Sequence, residues 1–305
     1  MTELAQLAVI LNASAGSGCT ADFANSIADK FRACGLIASV TLTTSGSEVI
    51  AASKRAVAGH VRTVVAGGGD GTLSAVASTL VGTDIALGIL PLGTLNHFAK
   101  DLRIPLQLDD AIRTIAEGHS IQIDAGEVNG RTFVNNSSLG LYADTVRHRE
   151  RLQHRLGRSK WLAFVWAAVT AFRRYPFLTV TLYLDNEEYR RRTSFIFIGN
   201  NEYMMEGFNI GARLRLDGAK LSLYVTQRTG RLGSLVLATR ALFGRLKQAK
   251  DFDALSAKTI LIETRHKQIR VATDGEVTLM STPLRYRTCP AALKVIVPRD
   301  ADMKE

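Results

Sequence analysis

Apolar and polar positions alternate in blocks along the first third of the chain. Leu7 to Leu11 is an unbroken apolar run of strand length, followed by the small-residue loop Asn12-Ala13-Ser14-Ala15-Gly16-Ser17-Gly18. Phe23, Ile27, Ala28 and Phe31 then recur at helical spacing and Gly35 closes the helix. Val40 to Leu42 is a second strand, and Thr43-Thr44-Ser45-Gly46-Ser47 is a turn in which Ser47 is the expected N-cap of a helix to Ala58. Val61 to Ala66 predicts a third strand that ends at Gly67-Gly68-Gly69-Asp70-Gly71-Thr72, with a helix from Leu73 to Leu80. Ile85 to Leu90 is a fourth strand, leading into Pro91-Leu92-Gly93-Thr94-Leu95-Asn96-His97-Phe98-Ala99-Lys100. Buried strands alternating with helices predict a doubly wound parallel sheet. Ligands of such sheets bind at the carboxyl ends of the strands. The loops 12–18, 43–47, 67–72 and 91–97 are therefore expected to converge on one nucleotide site.

The pattern changes after about Asp124. Turn pairs such as Asn129-Gly130, Asp185-Asn186 and Asp217-Gly218 separate short β-type runs, among them Leu178 to Leu184, Ser194 to Ile198, Leu221 to Val225, Thr259 to Ile262, Ile269 to Ala272 and Leu284 to Tyr286. That spacing predicts an antiparallel β-sandwich. Helical stretches near 144–174 and 233–247 interrupt it, and a last strand, Leu293 to Val297, is placed to return to the first domain.

Composition narrows the partners. The chain has 305 residues, 46% of them hydrophobic and 22% charged, which suits two globular domains with sizeable cores. A net charge of +10 and a pI near 9.7 point to a polyanionic partner: nucleotide phosphates, a membrane surface or nucleic acid. Cys19, Cys34 and Cys289 are widely spaced, so reduced, buried thiols of a cytosolic protein are expected. The N-terminus has no signal-peptide pattern, and the longest apolar run, Trp161 to Phe172, is too short to span a bilayer.

The glycine-rich stretch Gly67 to Thr72 has a physical rationale. Glycines at a helix N-terminus let backbone N–H groups approach phosphate oxygens, and the helix dipole favours the negative charge. The stretch lacks the Lys-Ser/Thr ending of a Walker P-loop and carries Asp70 instead. A carboxylate next to phosphates is sensible when Mg²⁺ or water lies between them. A plain β–α turn is the competing structural explanation.

The motifs in order resemble the diacylglycerol kinase catalytic-domain family, which includes soluble bacterial lipid kinases and the sphingosine and ceramide kinases. Asn12-Ala13-Ser14-Ala15-Gly16 is similar to the family's Asn-Pro-x-Ser-Gly loop, and Gly68-Gly69-Asp70-Gly71-Thr72 to its Gly-Gly-Asp-Gly-Thr. Leu90 to Asn96 with Phe98 to Pro105 resembles its Leu-Pro-x-Gly-Thr-x-Asn-Asp-Phe-Ala-Arg stretch. Ile123-Asp124-Ala125-Gly126, Leu216-Asp217-Gly218 and Asp274-Gly275-Glu276 follow in register with further family motifs. The resemblance implies an NAD-kinase-like α/β domain over 1–126, completed by 291–305, and a β-sandwich lipid-substrate domain over 127–290, with ATP and lipid in a cleft between them.

It also implies an ATP-dependent lipid kinase and a set of roles. Asn12, Ser14, Gly16, Gly67, Gly68, Gly69, Asp70, Gly71, Thr72, Gly93, Thr94 and Asn96 are the implied ATP-binding residues, with Thr43 or its neighbour Thr44 touching the nucleotide. Asp70 is expected to act through Mg²⁺ or water, since anion against anion is repulsive. Asp274 is the implied proton acceptor, supported by Glu276 acting on the metal or on Asp274 itself; an ordinary Asp-Gly hairpin turn is the alternative. Asp217, with the carbonyls of Leu214 and Ala219, corresponds to a structural Mg²⁺ or Ca²⁺ site, although Leu216 stands where the family has another Asp. His97 likewise replaces a family Asp near the metal.

The basic and aromatic stretch 147–174, with Arg147, Arg149, Arg151, Arg155 and Arg158 before Trp161, Phe164 and Trp166, suits docking to an anionic membrane. A core-packing helix with a charged edge explains it equally well. The expectation is a cytoplasmic, peripherally membrane-associated enzyme acting on a lipid, not on nucleic acid, with a homodimer compatible with the chain. An NAD kinase shares the Gly-Gly-Asp-Gly-Thr loop, but the stretch Gly88 to Asn96 follows the lipid-kinase pattern. A non-catalytic polyanion binder would not need Asp70, Asp274 and Glu276.

Overall fold

The computed structural model describes residues 7–14, 19–59, 61–140, 178–185, 187–193, 195–206, 209–213, 215–226 and 252–299. Gly16, Leu214 and the stretches 147–174 and 233–247 lie outside the described residues. The chain divides into two units, one of Met1–Ala125, Arg215–Asp217 and Cys289–Glu305, the other of Gly126–Leu214 and Gly218–Thr288.

The first unit contains β1 (Leu7–Asn12), α1 (Ala21–Ala33), β2 (Ala38–Thr43), α2 (Gly46–Ala58), β3 (Thr63–Gly68), α3 (Asp70–Leu80), β4 (Ala86–Pro91), α4 (His97–Asp101), α5 (Leu108–Glu117) and most of β5 (His119–Val128). Its strands run parallel in the order β2-β1-β3-β4, with Val295 of the last strand paired to Leu87 beyond β4. Val9, Leu11, Val64, Val65, Ala66, Leu87 and Leu90 are fully enclosed, as a sheet covered on both faces requires. α1 packs with α5 and α2 with α3, giving two helical layers.

Boundaries differ from the sequence reading in instructive places. Gly67 and Gly68 complete β3, while Asp70, Gly71 and Thr72 form the first turn of α3, so the loop itself shrinks to Gly69. Ser45, not Ser47, caps α2: its backbone is extended (φ −141°) and its hydroxyl accepts from Glu48 N at 3.3 Å. The helix α5 has no counterpart in the sequence reading, although Leu108, Ala111, Ile112 and Ile115 recur at helical spacing opposite Asp109, Asp110 and Arg113. The cysteines are free as expected, but Cys34 is exposed, since it is the residue that ends α1.

The second unit begins with the end of β5 and adds β6 (Arg131–Phe133), β7 (Asn136–Gly140), β8 (Leu178–Leu184), β9 (Glu187–Thr193), β10 (Phe195–Asn200), β11 (Tyr203–Glu206), β12 (Asn209–Arg213), β13 (Leu221–Thr226), β14 (Phe252–Ala257), β15 (Thr259–Thr264), β16 (Gln268–Thr273), β17 (Glu276–Ser281) and the start of β18 (Leu284–Val297). One antiparallel sheet has the order β14-β13-β10-β7-β16-β17; facing it in this unit are β18, β15, β8 and β9. Their alternating inner residues, among them Leu139, Ile196, Ile198, Leu223 and Val271 against Val180, Leu182, Ile260, Leu284 and Tyr286, form one core. An antiparallel sandwich is the predicted architecture.

The two terminal strands expected at Leu284 to Tyr286 and Leu293 to Val297 are one strand, β18. It pairs with β15 through Arg287 and with β4 at Val295. The same strand also pairs with β5.

Candidate functional site

The strand order β2-β1-β3-β4 reverses direction between β1 and β3, and that switch point brings Asn12 and the glycine stretch together. Asn12 Nδ2 donates to Thr72 Oγ1 at 2.9 Å, tying the end of β1 to the first turn of α3. Ser14 N donates back to Asn12 Oδ1 at 3.0 Å, which turns the chain away from the sheet.

Asp70 spans to the next loop. Its Oδ1 accepts from Phe98 N at 3.1 Å, so the carboxylate caps α4 from 28 residues away. Within that loop Asn96 is the organiser: it is buried, adopts φ +51°, accepts from Gly93 N at 3.0 Å and donates to the carbonyls of Gly93 (2.9 Å) and Pro91 (3.3 Å). Its amide is spent on the loop, so Asn96 shapes the loop from behind.

The glycines fall into two groups. A Cβ at Gly67 would stand 2.4 Å from Leu11 Cδ2, one at Gly68 2.6 Å from the Thr72 side chain, and one at Gly93 2.4 Å from the Gly69 Cα. Packing alone explains these three. Gly71 is different, because nothing lies within 4 Å of its Cβ position and its φ is not positive. Neither packing nor conformation demands glycine there; a ligand pressed against the backbone would. The first turn of α3 also has N–H groups with no intrahelical acceptor, in line with an anion.

The other nucleotide candidates are placed as follows. Thr43 is buried and its hydroxyl donates to Leu11 O at 3.0 Å, whereas Thr44 is exposed and its N–H and hydroxyl both bond Glu48. The Thr43 hydroxyl therefore serves the β1–β2 junction. Thr94 and His97 are exposed beside Asn96.

In the second unit Asp274 occupies the turn between β16 and β17 at φ +49°. Its carboxylate accepts three backbone N–H groups: Val134 N to Oδ2 (2.8 Å), Asn135 N to Oδ1 (2.9 Å) and Asn136 N to Oδ1 (3.0 Å). Its own N–H donates to Asn136 O at 2.8 Å. Desolvation pushes its pKa above the usual aspartate range, opposed by these three donors and by the nearby charge of Arg213. Such a carboxylate is more than a hairpin turn residue, since an Asp-Gly turn needs none of these bonds.

The residues that build this arrangement escaped the sequence reading. Arg213, almost fully buried, donates to Val134 O (2.6 Å) and Asn135 Oδ1 (3.0 Å) and lies over the Tyr203 ring at 5.7 Å. Asn200 Nδ2 donates to Val134 O and Tyr203 Oη to Asn135 O, both at 3.0 Å. The one local signal is the polar run Asn135-Asn136-Ser137-Ser138 at the start of β7, where a core strand would be apolar.

Glu276 points its charge at a partner of its own: Arg131 Nη2 is 2.5 Å from Oε2, and Arg131 also donates to Thr278. Asp217 is held by Arg215, whose Nε and Nη2 donate to its two oxygens at 3.0 and 3.3 Å, and that bond keeps its pKa below the usual range. Leu216 is buried and its carbonyl accepts from Asp124 N at 2.8 Å. A cation at Asp217 would compete with a guanidinium already in place, and the described residues contain no cluster of three or more His, Cys, Asp or Glu. Ala219 in this loop adopts φ +52°.

A parallel α/β unit with a glycine-aspartate turn at a helix N-terminus, followed by an antiparallel sandwich with a half-buried carboxylate held by three backbone donors, defines a two-unit α/β-plus-sandwich protein. The profile of the diacylglycerol kinase catalytic domain matches residues 6–128, and that of the YegS C-terminal NAD kinase β-sandwich-like domain matches 137–297. The chain belongs to this family. It is 46% identical over 103 residues to the "Probable lipid kinase YegS" of Escherichia coli, covering 32% of this chain and 34% of that protein. It is 29% identical over 241 residues to "Uncharacterized protein sll0036" of Synechocystis, covering 77% of this chain and 54% of that one. The matches thus span about a third and about half of the lengths of these relatives. The crystal structure of a diacylglycerol kinase from Bacillus anthracis superposes with a TM-score of 0.68 at 21% identity, covering 99% of this chain and all of that one, a likeness of fold.

Proposed function

We propose that the protein is an ATP-dependent lipid kinase that transfers the γ-phosphoryl group to a lipid hydroxyl. The observation that carries this reading is Gly71, in the first turn of α3 next to Asp70, where open space over the backbone leaves room for a closely approaching ligand. The family and the name of the Escherichia coli relative support a lipid as acceptor.

Phosphoryl transfer is mostly positioning and charge stabilisation. The N–H groups at the start of α3 and the backbone at Gly69 and Gly93 hold the phosphates. Asp70, half-buried and fixed by Phe98 N, would hold a Mg²⁺ with its second oxygen, a carboxylate being the kind of ligand this ion takes beside phosphates and water. When bound, the ion neutralises charge on the phosphates. Asp274 orients the lipid hydroxyl and takes its proton as the new P–O bond forms and the bond to the β-phosphate oxygen breaks. A base held by backbone donors suits this role, because a loose transition state needs alignment more than basicity.

Label transfer from γ-labelled ATP to a panel of diacylglycerol, phosphatidylglycerol, sphingoid bases and NAD tests the proposal. Label is expected in a lipid, and Asp274→Asn is expected to lower its rate ~10²–10⁴-fold while nucleotide binding persists. Label in NAD, or full activity without the Asp274 carboxylate, would overturn it. The basic stretch 147–174, which lies outside the described residues, is proposed as the anionic-membrane contact; charge-neutral substitutions at Arg151, Arg155 and Arg158 are expected to weaken salt-sensitive vesicle binding.

A further inference from the structure

The three donors to Asp274 are not equivalent. The peptide unit between Val134 and Asn135 is engaged at both ends: its carbonyl accepts Arg213 Nη1 at 2.6 Å and Asn200 Nδ2 at 3.0 Å, and its N–H donates to Asp274 Oδ1 at 2.9 Å. The following peptide unit repeats the pattern. The carbonyl of Asn135 accepts Tyr203 Oη at 3.0 Å and Asn200 N at 2.9 Å, and the N–H of Asn136 donates to the same Oδ1 at 3.0 Å. Amide resonance couples the two ends of a peptide, so a donor on the carbonyl oxygen strengthens the N–H as a donor. Oδ1 therefore takes two polarised N–H groups, while Oδ2 takes one, from Val134 at 2.8 Å, among the described residues.

Arg213 is an expensive residue to bury for the sake of a loop. A neutral side chain could hold the same carbonyls without desolvating a cation. Its charge lowers the carboxyl pKa of Asp274 against the desolvation, and its guanidinium holds the peptide that donates to Asp274. Glu276, the other carboxylate near the turn, is already paired with Arg131.

We propose that Arg213 and Tyr203 are positioning residues for the reaction. Acting through the two peptide units, they lock the plane of the Asp274 carboxylate by holding Oδ1. Oδ2 is left as the oxygen that meets the lipid hydroxyl and takes its proton. This rests on the assignment of Asp274 as the proton acceptor.

The test measures kcat, the KM for ATP and thermal unfolding for Arg213→Gln, Arg213→Lys and Tyr203→Phe, each alone and combined with Asp274→Asn. A misaligned base is expected to lower kcat ~10²-fold in Arg213→Gln with KM for ATP unchanged. Tyr203→Phe, which keeps the ring and removes one hydrogen bond, is expected to lower kcat up to about 10-fold. Arg213→Lys, which restores the charge, is expected to recover part of the rate. None of the three is expected to lower the residual rate of Asp274→Asn further. Equal losses with and without the Asp274 carboxylate, or losses that fall on KM for ATP, would overturn the proposal. If Arg213→Gln does not fold, Tyr203→Phe and Arg213→Lys carry the same expectation. An Asp274→Asn protein as active as wild type would instead remove the base assignment itself, an outcome distinct from either result for Arg213.

Discussion

Gly93 and Gly69 bring two loops from different βα units into backbone contact: a Cβ on Gly93 would stand 2.4 Å from the Gly69 Cα. The closeness is fixed from both sides, by Asn96 holding Gly93 and by Asp70 capping α4. Gly93→Ala is expected to force these loops apart and to destabilise the first unit by about 1–3 kcal/mol, as overpacking does. Thermal or urea unfolding checks this, and nucleotide affinity should fall with it.

Gly71→Ala separates ligand from fold. With nothing within 4 Å of the Cβ and no positive φ, the variant is expected to unfold at or slightly above the wild-type temperature, since alanine favours a helix. Nucleotide binding is nevertheless expected to weaken at least ~10-fold, the effect of losing about 1.4 kcal/mol of phosphate contact. Calorimetric titration decides it, and unchanged affinity would leave Gly71 without a role in binding.

Asp70 has a structural and a chemical duty that two substitutions separate. Asp70→Asn keeps an oxygen for Phe98 N, so stability is expected to stay within ~0.5 kcal/mol of wild type. Asp70→Ala removes the cap and is expected to cost ~1 kcal/mol. Phosphoryl transfer should be lost in both, because the charge that would hold Mg²⁺ is gone. A transfer assay over a magnesium series, run beside unfolding curves, distinguishes the two duties.

Tyr286 sets an alkaline limit on the second unit. Its hydroxyl is buried, shares a hydrogen bond with Ser137 at 3.0 Å, and burial raises its pKa well above the usual tyrosine value. The sign follows: the unfolded chain releases this proton near pH ~10 while the native state keeps it. Stability contributed by the protonated hydroxyl is thus complete below about pH 10 and is lost above it, by up to about 1.4 kcal/mol per pH unit. Tyr286→Phe is expected to be less stable by about 1 kcal/mol at neutral pH and to show a shallower loss above pH ~10. Unfolding curves across that range measure both.

Period and punctuation in the chain were enough for the βαβ order of the first unit, the sandwich of the second and the position of the glycine-aspartate turn between β3 and α3. Each rests on neighbours within a few residues, where apolar spacing and glycine act locally. Asp70 and Asp274 were also legible as charged residues beside glycine turns. What they bond was not. Phe98 N reaches Asp70 only because β3 and β4 pair in register, and Val134 N reaches Asp274, 140 residues away, only because β7 pairs with β16. Asn96 with Gly93 and Arg215 with Asp217 are local bonds, whose side-chain geometry residue spacing does not specify. Arg213 reads in the sequence as one more cation of a basic protein. Folding turns it into a buried charge working through a peptide bond, because backbone groups become specific donors and acceptors only once the strands that carry them are aligned.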